Sequence, residues 1–275
     1  MRRPARVEKR VAVNTPLSPS ARAELTSTLA MPAILYEDGL LLAVSKPAGL
    51  VTHPAYKHPD GTLSDIVFAR QAARGEDRPW LLHRLDRETS GVVLFAKTPL
   101  ARRALVRQFE RRTVRKLYLA ITHGAPDNPE GEIDAPLLRD PSDRRRVVVD
   151  PHGQSAQTRF RVLARAGDHA LIAAEPLTGR THQIRAHLAY VGAPIAGDAT
   201  YQSQPNVAED ACARTLLHAF RLDARYPGGG DAWSVVAPVP DDFRHAAAHV
   251  GLGAALERQV LVLQEDSCSS PHSIR

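Results

Sequence analysis

An aspartate stands between two arginines in residues 83–91, which run His-Arg-Leu-Asp-Arg-Glu-Thr-Ser-Gly. This residue, Asp86, follows the apolar pair Leu81 and Leu82 and precedes residues 92–95, a Val-Val-Leu-Phe run typical of a buried strand. A loop that leads into a central strand can hold a side chain rigidly, as a reacting carboxylate requires. Taken alone, an Arg-x-Asp-Arg segment is more often a solvated cluster of ion pairs. The segment thus leaves two interpretations, a surface ion-pair cluster or a nucleophile beside cations that could hold a phosphate backbone.

The chain is basic, and its cations are concentrated. Its 275 residues include 36 Lys and Arg against 30 Asp and Glu, a formal net charge of +6. Residues 102–116 alone hold seven cations and one anion, and residues 144–146 are Arg-Arg-Arg. Such runs are most often solvated faces. Two of them in a chain that also carries the Asp86 loop favour a nucleic acid as partner.

The composition excludes several classes of protein. With 43% hydrophobic and 24% charged residues, it is that of an ordinary globular protein. No apolar run approaches the roughly 20 residues that span a bilayer, and the basic N-terminus lacks the apolar stretch of a secretory signal. We therefore expect a cytoplasmic protein without a membrane partner. Cys212 and Cys268 are too few for a disulfide framework or a thiolate metal site.

The first part of the chain predicts an extension followed by a hairpin. Residues 1–31 are rich in Arg, Pro, Ser and Thr without an apolar period, so we expect a basic, flexible segment. Residues 34–36 and 40–45, separated by Glu-Asp-Gly, predict the hairpin. Residues 46–49, Lys-Pro-Ala-Gly, then force a loop because proline and glycine both interrupt a strand.

Two helices are expected to start at hydroxyl residues. Thr62 or Ser64 could cap a helix that runs to Arg70. Thr98 with Pro99 is a stronger signal, a hydroxyl N-cap followed by proline at the first helical position. The helix that it opens is basic and amphipathic, with arginines on one side and an apolar stripe on the other, formed by Ala101, Ala104, Leu105 and Phe109.

The remaining pattern is dominated by strands. In residues 116–121, Leu117, Leu119 and Ile121 share one face and Tyr118 lies on the other. Further strands are expected at residues 147–149, 158–163, 170–174, 216–222 and 233–237. Strands joined by short turns outnumber β-α-β crossovers, which favours an α+β fold with a mixed, largely antiparallel sheet flanked by helices and loops.

Helices are expected at three further places. Thr181 is the expected N-cap of a short helix whose buried stripe is Ile184, Leu188 and Val191. Residues 240–250 and the region up to residue 263 are also predicted to be helical. We expect disorder from residue 265 to residue 275.

Four segments occur in an order that identifies a family. They are residues 46–49, residues 83–91, the Arg-Lys-Leu-Tyr-Leu-Ala segment at 115–120, and residues 178–188 with the later Gly-Ala-Pro-Ile-Ala-Gly-Asp at 192–198. In this order the chain resembles the RluA family of RNA pseudouridine synthases over roughly residues 32–245. The resemblance implies a catalytic domain at 32–250, followed by a C-terminal helix and tail at 251–275. Many relatives carry an S4-like RNA-binding module, and residues 1–31 are too few to hold one.

The resemblance implies an isomerase that detaches uracil from its ribose, turns it and rejoins it through carbon 5. Asp86 matches the family's essential aspartate, a nucleophile for which attack on the ribose and attack on the base are both considered. Desolvation would raise the pKa of such a carboxyl group, so a fixed cation is needed, and Arg185 matches the position that supplies it. Tyr118 matches the active-site tyrosine, which stacks on the target base and could take a sugar proton. Arg84 matches a residue that fills the RNA stack where the uridine leaves.

The expected RNA contacts extend beyond these residues. Together, the resemblance and the charge runs assign RNA binding or base flipping to Arg84, Arg103, Arg107, Arg115, Lys116, Arg180 and His182. His182 and His187 are five residues apart, not the four that place two metal ligands on one helix face. We expect neither metal nor organic cofactor, a monomer, and an RNA partner that is ribosomal or transfer RNA.

Two other classes of function remain open. A non-catalytic RNA-binding or RNA-chaperone protein on the same fold would keep the arginines and could lose Asp86, Tyr118 or Arg185, yet all three are present. A glycosidase or nucleoside hydrolase would also act at a glycosidic carbon. Such enzymes usually pair two carboxylates about 5–9.5 Å apart, and the sequence singles out only Asp86.

Overall fold

The computed structural model describes residues 30–55, 58–202 and 214–269. The expected extension at 1–31 lies almost wholly outside the described residues, as do Cys212 and the end of the tail after residue 269. No described helix is both long and apolar enough to cross a bilayer.

A mixed sheet organises the described part of the chain. The described strands are β1 (Ile34–Glu37), β2 (Leu41–Lys46), β3 (Trp80–Leu81), β4 (Ser90–Ala96), β5 (Arg115–His123), β6 (Glu130–Asp134), β7 (Leu137–Arg139), β8 (Val147–Val149), β9 (Gln157–Ala166), β10 (His169–Pro176), β11 (Leu217–Arg225) and β12 (Ala232–Val236). Ten of them form the sheet, in the order β1-β2-β4-β11-β5-β10-β9-β6, with β12 added to β11 and β3 added to β4, and β7 and β8 form a separate pair. The pairing of β4 with β11 is parallel and the other described pairs are antiparallel, which confirms the predicted α+β fold class.

The helices pack against this sheet, and two of them begin as predicted. Thr62 accepts a hydrogen bond from the backbone of Asp65 in a capping box, and Thr98 caps the helix that starts at Pro99. The helices are α1 (Leu63–Ala73), α2 (Pro99–Glu110), α3 (Gln183–Tyr190), α4 (Asp241–His249) and α5 (Gly253–Ser269).

Strand β4 is buried along its whole length because helices cover both faces of the sheet there. Val92 and Leu94 pack in a cluster that includes Ala101 and Leu105 of α2. Val93 and Phe95 point the other way and pack in a cluster that includes residues of α1. A continuous apolar run is expected of a strand covered on both faces, so the prediction for residues 92–95 is confirmed.

The second half of the sheet packs on α3, α4 and α5. Phe243 of α4 and Leu256 and Leu263 of α5 belong to the same buried cluster as β5 and β10. Arg221 of β11 also donates a hydrogen bond to the Leu263 carbonyl at 2.6 Å. The expectation of disorder from residue 265 is wrong as far as Ser269, since α5 continues to that residue. The packing of its earlier turns on the core explains why the helix extends further than its sequence pattern indicated.

Candidate active site

Asp86 lies on the loop between β3 and β4, and that loop is fixed on both sides of the carboxylate. Before it, the Thr52 hydroxyl donates to the Leu85 carbonyl at 2.7 Å and accepts from the Leu85 amide at 3.2 Å. After it, the fully buried Lys46 donates to the Arg87 carbonyl at 3.0 Å. Lys46 belongs to the Lys-Pro-Ala-Gly segment, so that segment both forms a turn and anchors the Asp86 loop.

Gly91 brings this loop close to the next strands. Its φ is +117°, and a Cβ there would lie 2.2 Å from the carbonyl oxygen of Ala219. Only glycine therefore allows β4 to pair with β11 at this point. Ala219 is paired with Gly91 on one side and with Tyr118 of β5 on the other. The sheet register thus places the Asp86 loop beside Tyr118.

Arg185 joins Asp86 to a second carboxylate. Its Nη1 lies 3.2 Å from Asp86 Oδ2. Its Nε and Nη2 lie 2.6 and 2.7 Å from the two oxygens of Asp198, which is fully buried. Burial alone would lower the pKa of the Arg185 guanidinium, but the two carboxylates outweigh it and raise that pKa. The predicted pairing of Arg185 with Asp86 is therefore present, although most of the guanidinium binds Asp198.

Tyr118 shares a cavity of about 620 Å³ with Asp86 and Arg185. This volume lies within the usual range for small-molecule sites, roughly 300–1,000 Å³. Burial, and to a smaller extent the charge of Asp86, raise the pKa of the Tyr118 hydroxyl. Tyr118 is thus a neutral phenol at neutral pH, able to stack and to donate a hydrogen bond.

The start of α3 differs from the prediction that Thr181 is its N-cap. The cap position is His182, which has a left-handed backbone (φ 53°) and makes no side-chain capping bond. The Gln183 side chain instead fixes the loop before the helix, because its oxygen accepts from the Arg180 amide at 3.0 Å and from the Thr178 hydroxyl at 2.6 Å. A left-handed non-glycine residue is strained, and such strain is typical of functional sites.

The conformation of His182 directs its ring towards the carboxylate. His182 Nε2 lies 3.8 Å from Asp86 Oδ2, and Nδ1 lies 3.3 Å from the Tyr201 hydroxyl. Desolvation lowers the pKa of His182 despite the neighbouring Asp86. Tyr201 also packs its ring 5.2 Å from the Arg185 guanidinium. Tyr201 and His182 thus form the surroundings of the Asp86–Arg185 pair.

The expected RNA-binding residues fall into two groups. Four line the cavity with Asp86, namely Arg84, Lys116, Arg180 and His182. Arg103 and Arg107 lie instead on the exposed face of α2, whose C-terminal end reaches the cavity through Phe109 and Glu110. Arg115 is exposed and lies 3.3 Å from Glu175.

The second arginine run is partly neutralised by local carboxylates. Arg145 makes a two-pronged ion pair with Asp143, with both distances 2.8 Å. Arg146 lies 3.4 Å from Asp140. The free positive charge of residues 144–146 is therefore smaller than their sequence indicates.

Sequence reasoning missed three residues of the site, Lys46, Asp198 and Tyr201. Asp198 ends the Gly-Ala-Pro-Ile-Ala-Gly-Asp segment at 192–198, but the order of residues does not show that it faces Arg185, which lies 13 positions earlier. Lys46 precedes Pro47 and Gly49, and these two residues alone explained the loop, so the sequence offered no reason to assign a role to the lysine. A lysine before proline and an aspartate after glycine are common in solvated loops, so burial was the missing information.

In the described part of the chain, no group of three or more His, Cys, Asp and Glu side chains is arranged to hold a metal ion. His187 is buried with both ring nitrogens engaged, one with the Thr158 hydroxyl and the other with the Ala135 carbonyl, each at 2.9 Å. His187 thus has a structural role.

Comparison with known proteins assigns the chain to a family. The family model described as RNA pseudouridylate synthase matches residues 40–190. This range contains Asp86, Tyr118 and Arg185, and the chain belongs to this family.

Its relatives are bacterial proteins of greater length. An uncharacterized RNA pseudouridine synthase of Chloroflexus aurantiacus is 45% identical over 204 residues, 73% of this chain and 63% of the relative. The ribosomal large subunit pseudouridine synthase D of Neisseria meningitidis (serogroup A) is 38% identical over 234 residues, 82% of this chain and 62% of the relative. The chain thus spans less than two thirds of the length of these relatives.

Two human structures share the fold. Human RNA pseudouridylate synthase domain containing 4 superposes with a TM-score of 0.69 and 25% identity, covering 84% of this chain and 97% of that one. Human RNA pseudouridylate synthase domain containing 1 gives a TM-score of 0.65, also at 25% identity, covering 88% of this chain and 96% of that one. The fold is therefore that of the pseudouridine synthases.

Proposed function

We propose that this protein is an RNA pseudouridine synthase, an isomerase that converts uridine in RNA to pseudouridine. The observation that carries the proposal is the Asp86 carboxylate, which lines a nucleotide-sized cavity and lies 3.2 Å from the buried guanidinium of Arg185. A carboxylate acts as a nucleophile in its charged form, and the adjacent guanidinium supplies a counter-charge.

The proposed reaction needs no external reagent. The bond between N1 of uracil and C1′ of ribose breaks, and a bond between C5 and C1′ forms. The proton lost from C5 is balanced by the proton gained at N1. Asp86 acts as the nucleophile in this exchange of bonds. Attack of its carboxylate on the ribose and attack on the base are the two alternatives. Tyr118 supplies a flat surface and a hydroxyl donor for the detached base.

The site is suited to a nucleotide removed from its stack. A recessed cavity can accept a uridine only when that nucleotide is flipped out of its stack, which costs a few kcal/mol. Arg84 is exposed at the cavity, where it could fill the space that the uridine leaves. Arg180 and His182 line the other wall. Arg103, Arg107 and Arg115 would contact the RNA backbone outside the cavity.

We propose large-subunit ribosomal RNA as the substrate, because relatives at 36–38% identity are named ribosomal large subunit pseudouridine synthase D. Transfer RNA is the alternative substrate, and mapping pseudouridines in both RNAs distinguishes the two. We further propose that the protein acts in the cytoplasm, as a monomer and without a cofactor.

The test is the replacement of Asp86 by Asn, compared with Glu88→Gln on the same loop. Both changes remove one negative charge and keep the side-chain shape, but only Asp86 lines the cavity. Cells that lack the gene are complemented with each variant, and pseudouridines are mapped chemically in ribosomal and transfer RNA. We expect Asp86→Asn to abolish modification while RNA affinity stays nearly intact, and Glu88→Gln to retain both.

The outcomes separate the competing functions. Normal turnover by Asp86→Asn would remove Asp86 from the mechanism. RNA binding by the wild type without any pseudouridine would favour the non-catalytic RNA chaperone. Release of free uracil, leaving an abasic RNA, would identify a hydrolase.

A further inference from the structure

Lys116 is directed into the active-site cavity by its position on β5. It stands two residues before Tyr118, and side chains two apart on a strand point to the same face. Both residues accordingly line the cavity together with Asp86. The neighbouring Arg115 points to the opposite face and reaches Glu175. Two adjacent cations of β5 are thus divided between the cavity and the outer surface.

Lys116 is partly buried, and it differs from the buried cations of the described chain in having no partner there. Arg185 is held by Asp86 and Asp198, and Arg214 by a two-pronged contact with Asp242 at 2.6 and 3.0 Å. Lys46 donates to three backbone carbonyls at 2.7–3.0 Å. The Lys116 ammonium makes no hydrogen bond or ion pair with a described residue, and burial lowers its pKa without an opposing anion.

The groups around Lys116 do not compensate its charge. Asp86 is already paired with Arg185. His83 is nearby, but burial and the charge of Lys116 lower its pKa to about 3, so it stays neutral. A desolvated cation without a counter-charge is costly, and its cost is recovered when a ligand supplies the anion.

We propose that Lys116 binds one of the two phosphates that flank the flipped uridine, inside the catalytic cavity. The inference rests on the proposed function, because it takes RNA as the substrate. The phosphodiester is the group of a nucleotide that carries a full negative charge, whereas the uracil carbonyls are neutral acceptors. Lys116 thereby anchors the backbone of the target nucleotide while Tyr118, on the same strand face, contacts its base.

The experiment compares Lys116→Met with Arg159→Met, which removes an exposed strand cation that pairs with Glu132 outside the cavity. Activity is measured on a large-subunit ribosomal RNA fragment that carries a uridine modified by the wild type. We expect Lys116→Met to lower kcat/KM by roughly 10- to 100-fold, the loss expected on removing a charge-assisted hydrogen bond, and Arg159→Met to stay within about twofold of the wild type. Lys116→Arg should recover part of the loss because it restores the charge.

A second measurement identifies the partner of Lys116. A neutral methylphosphonate replaces each phosphate flanking the target uridine in turn. At one of the two positions, the methylphosphonate should lower the kcat/KM of the wild type by a factor similar to that of Lys116→Met. The same substituted RNA should cause little further loss of kcat/KM in the Lys116→Met variant. Thermal unfolding of the free protein should show Lys116→Met to be at least as stable as the wild type, since an uncompensated charge is removed.

The results that would overturn the proposal are distinct from those that would overturn the function. If the wild type is active and Lys116→Met matches Arg159→Met, Lys116 does not bind substrate. If methylphosphonate effects and Lys116→Met are additive at both positions, Lys116 contacts the base and not a phosphate. A wild type that forms no pseudouridine in any RNA would defeat the proposed function itself, and the phosphate site with it.

Discussion

The guanidinium of Arg185 binds two carboxylates, one partly exposed and the other fully buried. Its planar fork binds Asp198, which is fully buried, and leaves Nη1 for Asp86, whose side chain is 22% exposed. A lysine could not make both contacts, because its ammonium is a point charge without a fixed fork. Asp198 therefore orients the guanidinium that pairs with Asp86, and we regard Asp198 as a positioning residue.

Replacing Arg185 should affect both stability and activity. Arg185→Ala leaves Asp198 charged without its partner in a fully buried position, so we expect a loss of about 3–5 kcal/mol in the free energy of unfolding. Pseudouridine formation should fall steeply in the fraction that remains folded. Arg185→Lys should retain more stability than Arg185→Ala but little activity. Denaturant unfolding and single-turnover kinetics measure the two effects, and full activity of Arg185→Lys would contradict the role of the fork.

Arg84 should influence how the uridine leaves its stack. It lines the cavity from an exposed position, whereas Arg87 on the same loop contacts Glu88 and the Gly49 carbonyl. Arg84→Ala should slow modification more on an RNA whose target uridine is stacked in a helix than on one whose uridine is already unstacked. Arg87→Ala serves as the control and should show no such difference. Equal loss on both RNAs would argue against Arg84 as the residue that fills the stack.

At the scale of secondary-structure elements, α2 links the active site to a basic surface. Ala101 and Leu105 bury one side of the helix against β4, which leaves Arg103 and Arg107 exposed. The amphipathic pattern predicted this division correctly. Because the helix ends at the cavity, RNA bound along its basic face would lead directly to Asp86.

The basic face of α2 should be visible in the salt dependence of RNA binding. Each phosphate neutralised on a single strand contributes about −0.7 to the slope of log affinity against log salt. Arg103→Ala with Arg107→Ala should therefore make the slope shallower and weaken different RNAs to a similar extent, since phosphate contacts carry no sequence information. Filter binding over a salt series measures this. An unchanged slope would show that this face of α2 remains in solvent.

At the scale of the whole molecule, two neutral histidines hold segments of the fold together by accepting hydrogen bonds. His218 of β11 accepts from the Ser90 hydroxyl at 2.9 Å and donates to the Ala237 carbonyl at 3.2 Å. Burial lowers its pKa to about 4. His83 accepts a hydrogen bond from the Leu94 amide, and burial lowers its pKa to about 3. Protonating either ring would break an accepted hydrogen bond inside the core.

The fold should consequently lose stability on mild acidification. An unfolded histidine has a pKa near 6.5, so between that pH and the lower folded value the unfolded state binds more protons. Stability is thus fully present above about pH 6.5 and falls below it, by about 1–2 kcal/mol per histidine at pH 5. His218→Gln keeps a donor and an acceptor but does not titrate, so its unfolding free energy should depend less on pH between 7 and 5. Denaturant titrations at each pH test this, and an unchanged dependence would exclude His218 as a source.

The sequence by itself determined most of the elements and the chemical character of the site. Local signals decide these features, such as the Thr98 cap, the buried run of β4 and the alternation around Tyr118. The ordered motifs also identified the family and the pair formed by Asp86 and Arg185. The sequence could not locate the start of α3, because the left-handed backbone of His182 and the hydrogen bond from Gln183 to the Gln157 carbonyl of β9 arise only in the folded chain.

Only the tertiary structure decided which charges are compensated. Asp198 and Lys46 resemble ordinary loop residues until burial shows that each is held by specific partners. Residues 102–116 form one run of cations in sequence, yet Lys116 faces the cavity while Arg103, Arg107 and Arg115 face outwards. Charge is a property of residue type and can be counted along a chain. Its energetic consequence depends on solvent exposure and on the distance to opposite charge, and both are set only when distant segments pack together.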